Sequence, residues 1–197
     1  MTESRLIAGG NVTSYSVDFP DNDSHMCGSD DRLLKGITGV PVCPSCHFKT
    51  DPYFINSAFR VKRALYDLSS TYDGYVIASL KFREACRRLH IEGADFLTLP
   101  ADRRFFVVKP TSVVAFDVEA RRVKFTKYCE TCGLYGATAG ATPAFLRAES
   151  TTGLSRADIF FGSGNSRGPL LIASRDAKEA LSKERLAGLR FLECRVP

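Results

Sequence analysis

Two stretches of the chain share one pattern of apolar and polar positions. Residues 75–99 and residues 170–194 each begin with a short apolar run, continue through a longer helix-permitting segment, and end with a second apolar run. A serine precedes the helical part in both stretches, and serine is a residue type that caps helix N termini. A glycine follows the helical part, as is typical of a turn. The pattern therefore predicts a strand–helix–strand unit in each stretch.

The two stretches also match residue by residue, without a gap, at an offset of 95 positions. The identical pairs are Ile77/Ile172, Ala78/Ala173, Ser79/Ser174, Glu84/Glu179, Ala85/Ala180, Gly93/Gly188, Phe96/Phe191 and Leu97/Leu192. We interpret this match as an internal duplication. It predicts one α+β domain over residues 1–197, with approximate halves at 36–100 and 111–197 and an N-terminal segment at 1–35.

The segment between the two repeated units alternates apolar and polar positions over residues 112–128. Alternation with a period of two is typical of half-buried strands. Because the alternation is interrupted at residues 119–122, we expect a β-hairpin that joins the halves and leads into the following cysteine motif.

Four of the seven cysteines form two Cys-x-x-Cys motifs, one ahead of each repeated unit. The four residues are Cys43, Cys46, Cys129 and Cys132. A proline within the first pair and a glycine after the second favour tight turns, in which both thiolates of a pair face one centre. Four thiolates are the closed tetrahedral donor set of structural zinc sites. The spacing therefore predicts one structural Zn²⁺ in a site that resembles a zinc ribbon and is shared by the two halves.

Other uses of these cysteines remain open from the sequence. A thioredoxin-like redox pair follows a strand at the start of a helix and needs no second pair. Iron–sulfur clusters also use four cysteines, three of which are closely spaced in the usual motifs. Cysteines also serve as small apolar core residues. His47 directly follows Cys46 and is a further candidate ligand, although a neighbour on the same turn usually points away.

The three remaining cysteines have simpler interpretations. Cys86 lies on the inward face of the first predicted helix, and Cys194 matches Leu99 in the repeat, so both are expected in the core. Cys27 and His25 are close in sequence and are a candidate second metal or catalytic pair. A single histidine near a single cysteine in a polar segment is more often incidental.

The composition is that of a globular protein, with 44% hydrophobic and 25% charged residues and a formal net charge of +5. The chain starts without the basic and apolar regions of a signal peptide, and no window has the roughly 20 apolar residues of a membrane helix. We therefore expect a cytoplasmic protein with no membrane partner. The arginines lie in short pairs among acidic residues, which argues against a continuous surface for nucleic acid.

Two segments are candidate partner-binding loops. Residues 18–31 contain five aspartates and no lysine or arginine, which predicts an acidic surface loop. Residues 162–168 are rich in glycine and predict a flexible hairpin or recognition loop. This second segment is not a phosphate-binding loop, because it precedes a strand and lacks the Lys-Ser/Thr pair. The candidate contact residues are Asp21, Asp23, Asp30, Asp31, Asn165 and Arg167.

The motifs resemble those of the bacterial double-CXXCG immunity proteins. The resemblance extends from Cys43 to the end of the chain and is carried by the two Cys-x-x-Cys motifs and by the segment 157–192. It implies a cytosolic protein that binds and neutralises a cognate toxin, encoded next to it and delivered between neighbouring cells. His47 stands where the family has a glycine, so the turn geometry of the first motif departs from the family pattern.

Two functions from different classes therefore follow from the sequence. The first is an immunity protein without catalysis, since the chain contains none of the familiar catalytic motifs and the predicted zinc site is closed. The alternative is a zinc-ribbon protein that binds nucleic acid or has a regulatory role, which the net positive charge favours.

Overall fold

The computed structural model describes residues 14–28, 32–34, 36–151 and 153–196, and it confirms the predicted α+β class. The strands are β1 (Ser14–Asp18), β2 (Leu68–Ser70), β3 (Val76–Ser79), β4 (Ala94–Thr98), β5 (Phe105–Pro110), β6 (Val113–Val114), β7 (Lys124–Cys129), β8 (Leu134–Ala139), β9 (Leu154–Ser163), β10 (Gly168–Ser174) and β11 (Arg190–Glu193). The helices are α1 (Leu80–Arg88), α2 (Val118–Arg121) and α3 (Arg175–Ser182). Among the described residues, no helix has both the length and the apolar character required to cross a lipid bilayer.

The strands form two sheets. The larger sheet has the order β11-β1-β10-β9-β8-β7, with β6 beside β9, and the smaller has the order β2-β3-β5-β4. The neighbours in this order are antiparallel, whereas β6 runs parallel to β9.

Both predicted strand–helix–strand segments have the predicted order of elements, β3-α1-β4 and β10-α3-β11. The two predicted serine caps are present: Ser79 Oγ accepts a hydrogen bond from the Phe82 amide, and Ser174 Oγ accepts one from the Ala177 amide. The turn after each helix contains a glycine with positive φ, 91° at Gly93 and 88° at Gly188. These local signals mark where the helices start and end.

The strand pairings of the two segments also correspond. In each segment the two strands flank one central antiparallel strand, which is β5 in the first segment and β1 in the second. The registers agree at the offset of the sequence repeat: Ile77 and Leu97 both lie opposite Val107, and Ile172 and Leu192 both lie opposite Ser16. The central strand follows its segment in the first case, whereas in the second it comes from the other end of the chain.

The core has three parts. The central part contains inward residues of both helices and both sheets, including Phe82 and Cys86 from α1 and Ala177 and Leu181 from α3. A second part lies on the other face of the smaller sheet, and a third on the other face of the larger sheet. The larger sheet extends beyond this core through β8 and β7, which carry the second cysteine motif.

The predicted hairpin at residues 112–128 is wrong. Residues 118–121 form the short helix α2, and the Asp117 carboxylate accepts a hydrogen bond from the Ala120 amide at its start. Arg122 then ends the helix in a left-handed conformation. The hairpin lies further along the chain, between β7 and β8, and the second cysteine motif forms its turn. The Asp117 cap stops the apolar alternation from continuing as a strand.

The prediction of an acidic surface loop is also wrong over much of its length. Asn22, Ser24, Met26 and Cys27 are each at most 1% exposed, because the segment packs against the smaller sheet. The described aspartates are found at its start, and Asp30 and Asp31 lie outside the described residues.

Candidate metal centre

The two cysteine motifs form two turns with the same hydrogen bonding. The His47 amide donates to the Cys43 carbonyl, and the Gly133 amide donates to the Cys129 carbonyl, at 2.9 and 2.8 Å. The first turn is closed by the isolated bridge between Val42 and Lys49, and the second joins β7 to β8. Each turn therefore folds locally, while the contact between the turns depends on the whole chain.

The two turns bring the four cysteine sulfurs to one point. All four lie within 4.8 Å of one another. Across the turns, the Sγ atoms of Cys43 and Cys129 are 3.8 Å apart, and those of Cys46 and Cys132 are 3.7 Å apart. A tetrahedral zinc site with Zn–S bonds of about 2.3 Å has sulfur–sulfur edges of roughly 3.8 Å. The arrangement is therefore compatible with one structural metal ion bound by all four cysteines.

A second contact between the turns lies beside the sulfurs. Ser45 Oγ and Thr131 Oγ1 are 2.7 Å apart, and each is the third residue of its Cys-x-x-Cys motif. The turns thus face each other with equivalent residues in contact. His47 is not one of the grouped donor residues.

His47 and Gly133 occupy equivalent positions and have nearly the same backbone conformation. Their φ angles are 60° and 69°, both in the left-handed region. Glycine adopts this region without steric cost, whereas a residue with a Cβ does not. The first turn therefore keeps the geometry of the glycine-containing turn despite the histidine.

The backbone of each turn favours thiolate at its first cysteine. The amide of Cys46 lowers the pKa of Cys43, and the amide of Cys132 lowers the pKa of Cys129 to about 6. Loss of hydration instead raises the pKa of Cys46 to about 12, and the pKa of Cys132 is raised for the same reason. A bound cation therefore competes with the proton more strongly at the second cysteine of each pair than at the first.

The predicted loop at residues 162–168 supports the first turn. It is the β9–β10 connection, and Asn165 lies in a 3₁₀ turn, is 1% exposed, and accepts a hydrogen bond of 2.7 Å from the Lys49 amide. Because Asn165 is buried and already paired, it is not available to a partner. Arg167 is half-buried, donates to the Gly164 carbonyl and lies over the Phe48 ring.

The described residues of the acidic segment are engaged with their neighbours. The Asp21 carboxylate accepts a hydrogen bond from the Asp23 amide. The Asp23 carboxylate accepts one from the Tyr72 hydroxyl and lies 3.5 Å from Arg63. Since the Asp23 side chain is 45% exposed, it still presents charge to solvent.

The other three cysteines are separate from this centre. Cys86 and Cys194 are buried, as predicted, and burial raises the pKa of both to about 12. Cys27 is also buried, with its sulfur 3.3 Å from the Tyr75 hydroxyl. His25 instead packs against the Tyr72 ring. Cys27 and His25 are therefore occupied by different neighbours.

A buried polar network behind the first turn was missed by the sequence reasoning. The Asp73 carboxylate accepts hydrogen bonds from three consecutive backbone amides, those of Met26, Cys27 and Gly28. The Lys49 ammonium donates to the Asp73 carbonyl and lies 4.0 Å from the centre of the Tyr75 ring. An Asp-Gly pair such as 73–74 is typical of a turn, but no local signal reveals which amides will donate to the carboxylate.

Comparison with known proteins adds no identification. No protein-family model matches the chain, and no curated protein matches it. The resemblance to immunity proteins thus rests on the cysteine motifs and the segment 157–192.

Proposed function

We propose that the four cysteines bind one Zn²⁺ and that this ion holds the two turns together. The observation that supports the proposal is the mutual distance of the four sulfurs, at most 4.8 Å. Sulfurs this close surround a single ion, whereas each thiolate of a four-iron cluster binds a different iron. Since four thiolates occupy every position of a tetrahedral ion, the zinc would have a structural role and not a catalytic one.

Arg167 fits this donor set. Zinc with four thiolates carries a net charge of about −2, which a half-buried site must balance. Burial lowers the pKa of Arg167, and the attraction of Cys132 and Cys46 opposes that shift. The guanidinium would therefore offset part of the charge of the metal site.

We also propose that the two strand–helix–strand segments arose by duplication, so that the chain consists of two related halves. Three observations support this: the residue identities, the equivalent serine caps, and the equivalent strand registers. Inward residues of both segments meet in one core, as Ala78 and Ala173 do. In the second half, β1 would then occupy the central position that β5 has in the first half.

For the protein as a whole, we propose an immunity function: binding and neutralising a cognate toxin in the cytoplasm, without catalysis. A scaffold crosslinked by metal and presenting a fixed surface suits tight binding to one partner, because little conformational freedom is lost on association. We propose a toxin as the partner because the motifs resemble those of the immunity proteins. The exposed carboxylate of Asp23 is a candidate contact for a basic toxin. Asp21 is a further candidate, as are Asp30 and Asp31, which lie outside the described residues.

Co-expression in bacteria tests the proposal. Cells that produce the toxin encoded in an adjacent reading frame are expected to survive only when this protein is present. Replacing Asp21, Asp23, Asp30 and Asp31 together by asparagine is expected to weaken the rescue, because the opposite charges at the interface are lost. Unchanged rescue would reject these aspartates as the contact, and failure of rescue by the wild-type protein would reject the immunity function.

One observation favours the alternative of nucleic-acid binding. The β7–β8 hairpin combines exposed tyrosines, Tyr128 and Tyr135, with exposed lysines, Lys124 and Lys127. Aromatic and cationic side chains together form stacking surfaces for single strands. Retention on a single-stranded DNA or RNA column that falls steeply with salt would support this alternative.

A further inference from the structure

A cavity lies close to the metal centre, between the segment that follows the first turn and the β7–β8 hairpin. Its volume is about 420 Å³, within the range of ligand sites in proteins. Its walls come from residues 49–52 after the first turn, from the β7–β8 hairpin, from β9 and from the β9–β10 connection. The apolar lining residues are Pro52, Phe125, Leu134, Tyr135, Ile159 and Phe160.

One cation in the lining makes no ion pair with an acidic side chain in the described part of the chain, although Cys132 and Cys46 of the grouped cysteines attract it. The Arg167 guanidinium uses Nε for the Gly164 carbonyl, and neither terminal nitrogen makes an ion pair in the described part of the chain. The other lining cation, Lys49, already donates its ammonium to the Asp73 carbonyl. The lining acid, Asp158, accepts a hydrogen bond from the Phe116 amide. Arg167 is therefore the group that can recognise an anion in this cavity.

The rim of the cavity has the composition of a protein-binding surface. Tyr128 is 57% exposed and Tyr135 is 37% exposed, and their ring centres are 5.0 Å apart. Tyr135 lines the cavity, and Tyr128 packs against Tyr135. Tyrosine and arginine are residue types that dominate binding at interfaces. The rings lie on a hairpin whose turn contains two of the grouped cysteines, so a bound metal would hold them in place.

We propose that this cavity binds a segment of a partner protein that carries an aromatic or large aliphatic side chain next to a carboxylate. The side chain would fill the apolar part, and the carboxylate would pair with Arg167, since guanidinium matches carboxylate geometry. A nucleic-acid strand fits the cavity itself less well, because Arg167 and Lys49 are its two lining cations, Lys49 is engaged with Asp73, and Asp158 adds a negative charge. The proposal deepens the proposed function, on which the existence of a protein partner rests.

The test uses the full-length, zinc-loaded chain labelled with ¹⁵N and two small probes. One is N-acetylphenylalanine with its free carboxylate, and the other is N-acetylphenylalanine amide, which has the same side chain without the charge. We expect saturable shifts of the amides of Gly133, Leu134, Thr138 and Gly164, with the acid binding about tenfold or more tightly than the amide. Equal affinity for the two probes, shifts confined to other regions, or no saturable binding would each overturn the proposal.

Two variants assign the preference to one residue. Arg167→Gln is expected to remove the preference for the acid, and Arg103→Gln, at an exposed arginine of the β4–β5 connection, is expected to keep it. Zinc content and the ¹⁵N spectrum confirm that both variants are folded. A preference for the acid that persists in Arg167→Gln would refute the role of the guanidinium.

The outcome is separable from that of the immunity proposal. If the acid probe binds as expected but the wild-type protein rescues no toxin-producing cells, the cavity remains a site for anionic apolar groups and the immunity function fails. If the wild-type protein rescues and Arg167→Gln rescues equally well, the immunity function stands and the cavity is not the contact. If a single-stranded oligonucleotide displaces the probe, and if this displacement depends strongly on salt concentration, the partner is a nucleic acid and not a protein.

Discussion

Asp73 provides the most informative test of how residues 26–28 are held against the smaller sheet. It is fully buried, and its Oδ1 accepts from the Met26 amide at 2.8 Å. Its Oδ2 accepts from the Cys27 amide at 2.6 Å and from the Gly28 amide at 3.1 Å. One carboxylate thus satisfies three buried amides of a segment that has no regular secondary structure, and it fixes that segment against the smaller sheet.

The expected cost of removing the carboxylate follows from these three bonds. A buried donor left without a partner costs about 1–3 kcal/mol, so Asp73→Ala, which leaves three such donors, should lower the free energy of unfolding by about 3–9 kcal/mol. Asp73→Asn keeps one acceptor oxygen, but its NH₂ group replaces the other and faces one or two backbone amides from which it cannot accept a hydrogen bond. We therefore expect the free energy of unfolding to fall by about 2–4 kcal/mol. Because whole domains are stable by about 5–15 kcal/mol, the alanine variant should be close to unfolding.

Urea denaturation at fixed zinc concentration measures both losses by linear extrapolation. Asp95→Asn is the matched control, because Asp95 is exposed on β4 and such surface changes stay within about 0.5 kcal/mol. The reasoning would be refuted if Asp73→Asn were as stable as the control. It would also be refuted if the amides of Met26, Cys27 and Gly28 kept their protection from hydrogen exchange in the alanine variant.

Three further predictions concern the cysteines and the first turn. His47→Gly should raise the free energy of unfolding by about 0.5–1 kcal/mol in urea denaturation, because His47 has the same left-handed φ as Gly133; a loss of stability would contradict this. In a thiol-reagent titration at pH 8 after removal of the metal, the half-exposed thiols of Cys46, Cys129 and Cys132 should react before the buried ones of Cys27, Cys43, Cys86 and Cys194, and denaturant should release all seven; early reaction of Cys27, Cys86 or Cys194 would contradict this. Burial raises the pKa of Cys86 from 9.0 to about 12. The buried neutral thiol therefore makes its full contribution to the free energy of unfolding below pH 9, and this contribution decreases as the pH rises toward 12. The destabilisation caused by Cys86→Ala, measured by urea denaturation, should therefore be largest below pH 9 and shrink at higher pH, and a constant difference would contradict this.

The features that could be predicted from the sequence are those encoded by neighbouring residues. Ser79 and Ser174 mark helix starts because a serine hydroxyl reaches an amide three residues on, and the cysteine pairs mark turns for the same local reason. The Asp117 cap is also a local signal, and it indicates the start of a helix at the point where the apolar alternation indicates a hairpin.

The features that could not be predicted depend on residues distant in the chain. The strand β1 lies between β10 and β11, and nothing in its five residues identifies partners more than 150 positions away. The burial of Met26 likewise depends on Asp73, which is 47 positions away. The cavity at Arg167 is formed only when two turns and β9 meet, so its residues have no common sequence signal.

The most direct test of the central claim is X-ray absorption at the zinc edge on purified protein whose metal content has been measured. We predict about one zinc per chain, with four sulfur neighbours at about 2.3 Å and no nitrogen or oxygen neighbour. Cys129→Ser should lose the metal and much of the stability, since metal binding is coupled to folding. A metal-free protein of full stability, or a zinc ion with fewer than four sulfur neighbours, would contradict the account.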